Sequence, residues 1–498
     1  MKSIRKHEQT IIIIVLVIIN FLVKGVFIAN NSLAGDEPFS VYHAQMNITS
    51  IIKLLSEGNN PPLYEILLHF WIKIFGISEL SARFPSLIFS SLTVLFIYKI
   101  GIKYLNNRVA LCASIIFIFS NYQILFAHEA RVYAFLGLLT VISMYIFMGI
   151  IYDYRINTKS EDNYRFNYQA TTKFIILAVV NTLIIYSHYF GFFVLIIQFL
   201  FLMLNFPFLF KHWKKVFLSA SIIALLYSPN ILVILNRFTE SSGGTWVQPP
   251  TGLVSIYNML WVFSNAPVVT VCLITIFVFS LLKYVANFKN ELKVIYCGFV
   301  IFWFGFIFFF MFSISYWIPM FMGRYLMPAA IAYPLLVGVC ADYLIKTSKY
   351  KFVIPFVVSL FFVFTVKPNM TNKSNVKETV EKIKELKTNN TIVYFCPDWF
   401  ELNFAYYYNI KYFKDYDDVN IKNKIYQYLH SENVFPINSY NQIDTNLIKF
   451  ADKIIYLDAS ADFSYPNNNI KKELNLNYPL KNQYKFYEEF SVFEYELK

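Results

Sequence analysis

Apolar runs of about 20 residues, the length that crosses the hydrocarbon of a bilayer, recur along the first three quarters of this chain. Few folds remain open to such a chain. In lipid, backbone hydrogen bonds have no water to fall back on, so a single segment can cross only as a helix. The composition agrees, with 57% hydrophobic and only 15% charged residues, against about 25% charged in a soluble domain. The first run, residues 11–28, follows a basic leader of Lys2, Arg5 and Lys6 and shows no small-residue cleavage site, so it reads as a retained first helix rather than a signal peptide.

The net charge of +12 could suggest nucleic acid, but its distribution argues against that. Residues 367–498 are nearly balanced, with 17 Lys, no Arg and 18 acidic residues, whereas residues 1–366 hold 26 basic and 13 acidic residues. Of those 26, 19 fall in six short clusters at 2–6, 99–108, 155–173, 211–215, 283–293 and 346–351. Two apolar segments separate each cluster from the next, which is the pattern of cytoplasmic helix ends. The charge is a topology signal.

Crossings are expected near 9–29, 84–104, 108–126, 132–152, 172–188, 190–206, 215–236, 262–284, 294–314, 326–345 and 351–366. With a cytoplasmic N-terminus, about eleven crossings put residues 367–498 outside. The stretch Pro61–Gly76 is apolar but only 16 residues long. A crossing there would move every later basic cluster to the outer face, so it reads as interfacial, like 38–47 and 49–57; a twelfth crossing is the alternative. The expected organisation is a membrane domain, 1–366, with a long outer loop at 30–83, followed by an extracytoplasmic domain, 367–498. In the tail, a helix at 376–386, a strand at 391–396, a helical run at 399–408, a strand at 453–458 and strand pattern at 484–496 suggest a small α/β domain. Four of the five cysteines sit in expected helices as small apolar fillers, and Cys396 is alone in the tail, so no internal disulfide or CxxC metal site is available there.

Seven basic residues stand outside the cytoplasmic clusters: Lys24, Lys53, Lys73, Arg83, Arg131, Arg237 and Arg324. Lys24 and Lys73 are expected to snorkel to the interface. Arg83, Arg131 and Arg324 each sit beside polar or aromatic neighbours at a helix mouth. Asp36 and Glu37 follow the first helix, and Glu129 lies at the outer end of the segment 108–126. Singly, each reads as a solvated or ion-paired group. The topology nevertheless brings them to one membrane face, and carboxylates and guanidiniums converging at that depth read as a functional site. His188 and Tyr189, in a tight outer turn, either face the same cavity or cap a helix break. His43 and His69 match no metal-binding spacing, so no metal site is assigned and a divalent ion stays open. The loop 241–250 is read equally as a substrate cover or a connector.

These residues carry a resemblance. The pair at 36–37, NPPLYE at 60–65, SARFPS at 81–86, HEARVYAF at 128–135 and GRYLMPA at 323–329 resemble, in order and spacing, the protein mannosyltransferase-like glycosyltransferases of family 39 and their bacterial relatives, including the lipid A aminoarabinose transferase, within the GT-C superfamily. His128 departs from the pattern, since relatives often carry Gln there. The resemblance implies a GT-C fold, a polytopic α-helical membrane domain with a C-terminal soluble α/β domain. It also implies a sugar donor linked to polyprenyl phosphate, an acceptor (glycan, lipid or protein) reached from outside the plasma membrane, and no nucleic acid. His128, Tyr133, His188 and Tyr64 are its cavity candidates.

The chemistry suits these residue types. Expelling a phosphate monoester, with a second pKa of about 6, calls for positive charge and bidentate Arg rather than a general acid. A weakly nucleophilic acceptor hydroxyl calls for a carboxylate base. Asp36 is the expected base and Glu37 its neighbour or the positioner of the acceptor. Arg131 and Arg324, then Arg83, are the expected phosphate ligands, with Glu129 orienting Arg131 or the acceptor. An envelope oligosaccharide ligase or polymerase is one alternative, although an acidic pair directly after the first helix is not expected of it. A transporter or flippase of lipid-linked sugars is the other, although it should show polar groups through the membrane depth and paired halves.

Overall fold

The computed structural model describes residues 2–58, 60–157, 163–241, 247–286, 292–345, 350–369, 375–413, 421–487 and 490–497. Two compact units divide the chain. The first comprises Met1–Phe27, Leu55–Tyr64 and Arg83–Met370, and the second Ile28–Leu54, Glu65–Ala82 and Thr371–Lys498. The second unit therefore takes in the tail and also most of the long first loop, which the sequence alone assigns to the membrane domain. Of the loop 241–250, residues 242–246 lie outside the described residues.

The first unit is helical. Among the described residues six helices are long and apolar enough to cross a membrane: His7–Gly25, Glu79–Leu105, Tyr133–Arg155, Ala170–Ser187, Phe206–Arg237 and Val294–Ile314. Three bent pairs raise the number to as many as nine: Asn107–Ile118 with Asn121–Ala127 (58°), Leu253–Ser264 with Pro267–Lys283 (105°), and Gly323–Ala330 with Tyr333–Leu344 (50°). The shorter apolar helices Tyr189–Leu204 and Val353–Thr365 occupy the two remaining expected positions. The chain is thus a multi-pass membrane protein. The disputed stretch 61–76 forms only a 13-residue helix, Leu63–Phe75, short of the roughly 20 residues a crossing needs.

Broken helices survive in lipid only where their freed backbone groups find partners. Asn265, with φ at +68°, stitches two breaks together. Its Oδ1 accepts the Asn121 N–H at 2.7 Å and its Nδ2 donates to the Phe119 carbonyl at 2.8 Å. At the third break, the Trp303 indole N–H donates to the Pro328 carbonyl at 2.9 Å.

Lys24 does not snorkel. It is fully buried, donates to Ser90 Oγ at 3.0 Å and lies 3.9 Å from the centre of the Phe117 ring. Packing decides this: Ser90, on the helix Glu79–Ile100, accepts from both Asn20 and Lys24 of the first helix, so Lys24 Nζ finds a partner inside the unit.

The second unit contains a five-stranded sheet of β1 (Thr391–Cys396), β2 (Val434–Pro436), β3 (Lys453–Ala459), β4 (Leu480–Tyr487) and β5 (Phe490–Glu496), in the order β2-β1-β3-β5-β4. β1 pairs in parallel with β2 and β3, and β5 runs antiparallel to β3 and β4. One face packs Tyr394, Tyr456 and Phe493 with Ile448, Ile470 and Leu474. On the other, Phe395 stacks on Phe404 of the helix Glu401–Tyr408, with centroids 4.9 Å apart. The helices expected at 376–386 and 399–408 and the strands expected at 391–396 and 453–458 are present, and the strand pattern expected at 484–496 is the two strands β4 and β5. The three-residue β2 was too short to carry a periodicity signal.

Candidate functional site

In the first unit the site is built where three chain reversals meet. The segment His128–Val132 links the helix Asn121–Ala127 to the helix Tyr133–Asn157. It is pinned twice: His128 Nε2 lies 2.5 Å from the Lys24 carbonyl oxygen, and Ser86 Oγ donates to the Glu129 carbonyl at 2.7 Å. His128 thus serves as a tie between the first helix and this turn. Arg83 stands one turn before Ser86 on the same helix and is 1% exposed. Arg131 is 4% exposed and Glu129 half-buried.

The second reversal is Ser187–Gly191. His188 caps a short 3-10 turn, its Nδ1 accepting the Phe190 N–H at 3.2 Å. The turn is tight because the chain at residue 191 approaches the previous helix. A Cβ at Gly191 would lie 2.4 Å from Ile184 Cγ2 and 2.9 Å from the Ile184 carbonyl oxygen, so glycine is required.

The third reversal is the 3-10 turn Gly323–Leu326, held from across the unit by Tyr122, whose hydroxyl donates to the Gly323 carbonyl at 2.7 Å. The Arg324 guanidinium lies 5.8 Å from the centre of the Tyr325 ring.

Aromatic rings join the three. Tyr122 meets Phe126 at 4.7 Å, Phe126 meets Tyr133 at 5.1 Å, and His188 meets both Tyr133 and Tyr325 at 5.8 Å. Tyr325 also packs on Phe190 at 4.6 Å. Burial first, then the Arg131 and Arg324 guanidiniums, push the His188 imidazole down to about 3, so the ring is neutral. Nδ1 is already an acceptor, which places the proton on Nε2. Nε2 is buried with no hydrogen-bond partner among the described residues. The result is two guanidiniums and a neutral N–H donor in one low-dielectric corner, an arrangement suited to an oxyanion.

Asp36 and Glu37 belong to the second unit. Gly35, at φ +57°, turns the chain into the helix Glu37–His43 and leaves Asp36 exposed. Glu37 is fully buried, and its Oε2 accepts the Ala34 N–H at 3.1 Å. Glu37 is thus tied into the loop, while Asp36 is exposed. Three residues of the tail and one of the loop hold this segment. Tyr407 Oη accepts the Leu33 N–H at 2.6 Å, Asn403 Nδ2 donates to the Gly35 carbonyl at 3.1 Å, and Ser32 Oγ accepts the Lys377 N–H at 3.0 Å. Ser40 Oγ donates to Glu65 Oε1 at 3.0 Å, tying the helix to its neighbour Leu63–Phe75. His43 and His69 each have Nδ1 2.8 Å from a backbone carbonyl, of Phe39 and Ala44. Among the described residues no group of three or more His, Cys, Asp or Glu could hold a metal ion. Tyr64 belongs to the first unit and is fully buried.

The structure thus brings Arg131, Arg324, His188 and Tyr133 together, with Glu129 on the same turn as Arg131. Sequence reasoning missed Tyr325, Tyr122 and the tail residues Asn403 and Tyr407. Tyr325 could have been suspected from its place beside Arg324, whereas Asn403 and Tyr407 carry no sequence signal.

The family model of the dolichyl-phosphate-mannose-protein mannosyltransferases matches residues 59–233. No curated protein matches by sequence. Among solved structures, ArnT from Cupriavidus metallidurans in the apo state is similar with a TM-score of 0.59 and 11% identity, covering 97% of this chain and 98% of that one. ArnT bound to undecaprenyl phosphate is similar with a TM-score of 0.56 and 10% identity, covering 97% of each chain. The archaeal oligosaccharyltransferase AglB from Archaeoglobus fulgidus, in complex with an inhibitory peptide and a dolichol-phosphate, has a TM-score of 0.54 at 10% identity, covering 98% of this chain and 74% of that one. Over nearly its whole length the chain has the fold of these solved structures, and its segment 59–233 matches the model of the dolichyl-phosphate-mannose-protein mannosyltransferases.

Proposed function

We propose that the chain transfers a sugar from a polyprenyl-phosphate-linked donor to an acceptor hydroxyl on the extracytoplasmic face of the plasma membrane. The observation that carries this is the corner formed by Arg131, Arg324 and the neutral His188, in a fold whose solved examples include one bound to undecaprenyl phosphate. The arginines hold the donor phosphodiester, and their hold tightens as the C1–O bond breaks and charge gathers on the departing polyprenyl phosphate. His188 Nε2–H donates to a phosphate oxygen without adding charge. Arg83 supplements the positive field, and Glu129 orients Arg131 or the acceptor. Asp36, the exposed acid of the pair, takes the proton of the acceptor hydroxyl as it attacks C1 from the face opposite the phosphate, which inverts the anomeric centre.

The test is product chemistry. Purified protein in lipid nanodiscs, given a polyprenyl-phosphate-linked sugar and envelope extract, should release polyprenyl phosphate and form a new glycoside visible by mass spectrometry. Transbilayer movement of the donor with no new glycoside would establish the transporter reading instead. Mass spectrometry of envelope glycans from a deletion strain then identifies sugar and acceptor.

A further inference from the structure

The sheet of the second unit has a feature that transfer chemistry does not use. β1 and β3 are adjacent and parallel, so their carboxyl ends emerge side by side. After β1 the chain enters the helix Glu401–Tyr408, which packs on the Phe395 face. After β3 it enters the helices Ala461–Ser464 and Ile470–Asn477, whose Ala461, Ile470 and Leu474 pack on the opposite face with Tyr456. β2 lies beyond β1, while β5 and β4 lie beyond β3. The strand order therefore reverses between β1 and β3. In open α/β sheets, a ligand crevice opens at the carboxyl ends of the strands at such a switch point.

The residues at this point are unusual for a mere connection. Trp399 follows β1 and is 49% exposed; Phe463 follows β3 and is 79% exposed. Trp399 is held in place, its indole N–H donating to Ser464 Oγ at 3.2 Å, which sets it beside the residue that follows Phe463. Tyr465 Oη donates to Asp398 Oδ1 at 2.6 Å, bridging the same two loops. Asp462 is exposed, and its Oδ1 accepts from Asn468 Nδ2 at 2.8 Å. Ser460, a non-glycine residue at φ +63°, directs the chain out of β3; strained backbone of this kind clusters at ligand sites.

We propose that this switch point is a saccharide-binding site, with Trp399 and Phe463 as stacking platforms and Asp398 and Asp462 as acceptors for sugar hydroxyls. Exposed rings suit the C–H faces of a pyranose, and an ionised carboxylate offers about four lone-pair positions, of which one is used on each aspartate. Asp398, Asp458 and Asp462 stand at or just after the ends of β1 and β3 and outnumber Lys471, the lysine that acts on Asp458, so an uncharged glycan suits this place better than a phosphate or an anionic lipid surface. The site is independent of the transfer reading, since it needs no donor lipid.

The experiment uses the full-length protein in nanodiscs, avoiding detergents with sugar headgroups, and measures binding of cellotetraose, mannotetraose, maltotetraose and chitotetraose by calorimetry and saturation-transfer NMR without donor. At least one should bind. Trp399→Ala and Phe463→Ala should each weaken it by about tenfold or more, Phe463→Tyr should restore it, and a sulfated analogue should bind more weakly than its neutral parent. Phe463 is so exposed that its alanine variant should keep the melting temperature, which separates lost binding from lost folding. No binding to any of the four glycans, or binding unaltered by both alanine variants, overturns the proposal. Loss of glycosyl transfer in the donor assay would leave this result untouched.

Discussion

His188 accepts the backbone N–H of Phe190 at its Nδ1, 3.2 Å away, and this one bond decides which nitrogen of the ring carries the proton. The donor role falls to the buried Nε2–H, in a corner already charged by Arg131 and Arg324. A cationic ring there would repel both guanidiniums; a neutral one adds a donor without that cost.

The pH dependence follows in sign. The folded-state value of His188 is depressed to about 3 from an ordinary 6.5. Between these values the unfolded chain binds the extra proton, so the stabilisation is complete above about pH 6.5 and is lost as pH falls toward 3. Thermal unfolding should therefore show a melting temperature that drops from pH 7 to pH 4, with part of the slope removed in His188→Gln. Gln keeps a donor and should retain partial turnover, whereas His188→Ala should lose more. An unchanged pH slope in His188→Gln would remove the imidazole from this account.

Arg324 should act on the donor rather than on folding. Arg324→Ala should weaken binding of a polyprenyl phosphate and slow transfer together, because the interaction is present in the ground state and grows in the transition state. Arg324→Lys keeps the charge, loses the fork and should rescue only partly. Donor affinity and melting temperature of the purified variants decide it: intact affinity with a collapsed melting temperature would make Arg324 a structural residue.

The acid pair should separate cleanly. Asp36→Asn should cut turnover by about 10²–10⁴-fold with donor affinity nearly unchanged. Glu37→Gln keeps an oxygen for the Ala34 N–H and should cost stability more than turnover. Single-turnover kinetics on both variants test this, and a reversal of the two effects would exchange the roles.

The tail should tune catalysis from a distance. Tyr407→Phe removes the acceptor of the Leu33 N–H and the donor to Glu79. A backbone donor left unmet costs about 1–3 kcal/mol. The expected result is a fall in kcat greater than any rise in KM for the donor, with Asn403→Ala behaving alike. Turnover equal to that of the parent in both variants would show that the loop holds its shape unaided.

Orientation is checked by fusion. A reporter active only in the cytoplasm, joined after Lys498, should be silent, and one joined in the 211–215 cluster should be active. Activity at Lys498 would mean that 61–76 crosses and would move residues 128–131 to the inner face.

Periodicity and charge could reveal the helical segments because each rests on local rules: about 20 apolar residues to span lipid, and basic residues at cytoplasmic ends. The helix Val376–Leu386 and strands β1 and β3 were legible for the same reason, as their patterns run long enough to register. The arginines stood out as candidates because they break the expected pattern of basic clusters, and the acid pair because it follows the first helix directly. What the sequence could not show was every relationship carried by contacts between distant residues. Nothing local tells that Lys24 turns inward to Ser90, 66 positions away, instead of snorkelling. Nor does it tell that the Asp36 loop rests on Asn403 and Tyr407, more than 360 positions on. The neutral state of His188 is of the same kind. Sequence shows a histidine in a tight turn, but its proton is placed by a hydrogen bond to Phe190 and its charge is suppressed by burial beside two arginines from other reversals of the chain. Those are properties of a shared low-dielectric volume, and only the tertiary structure creates it.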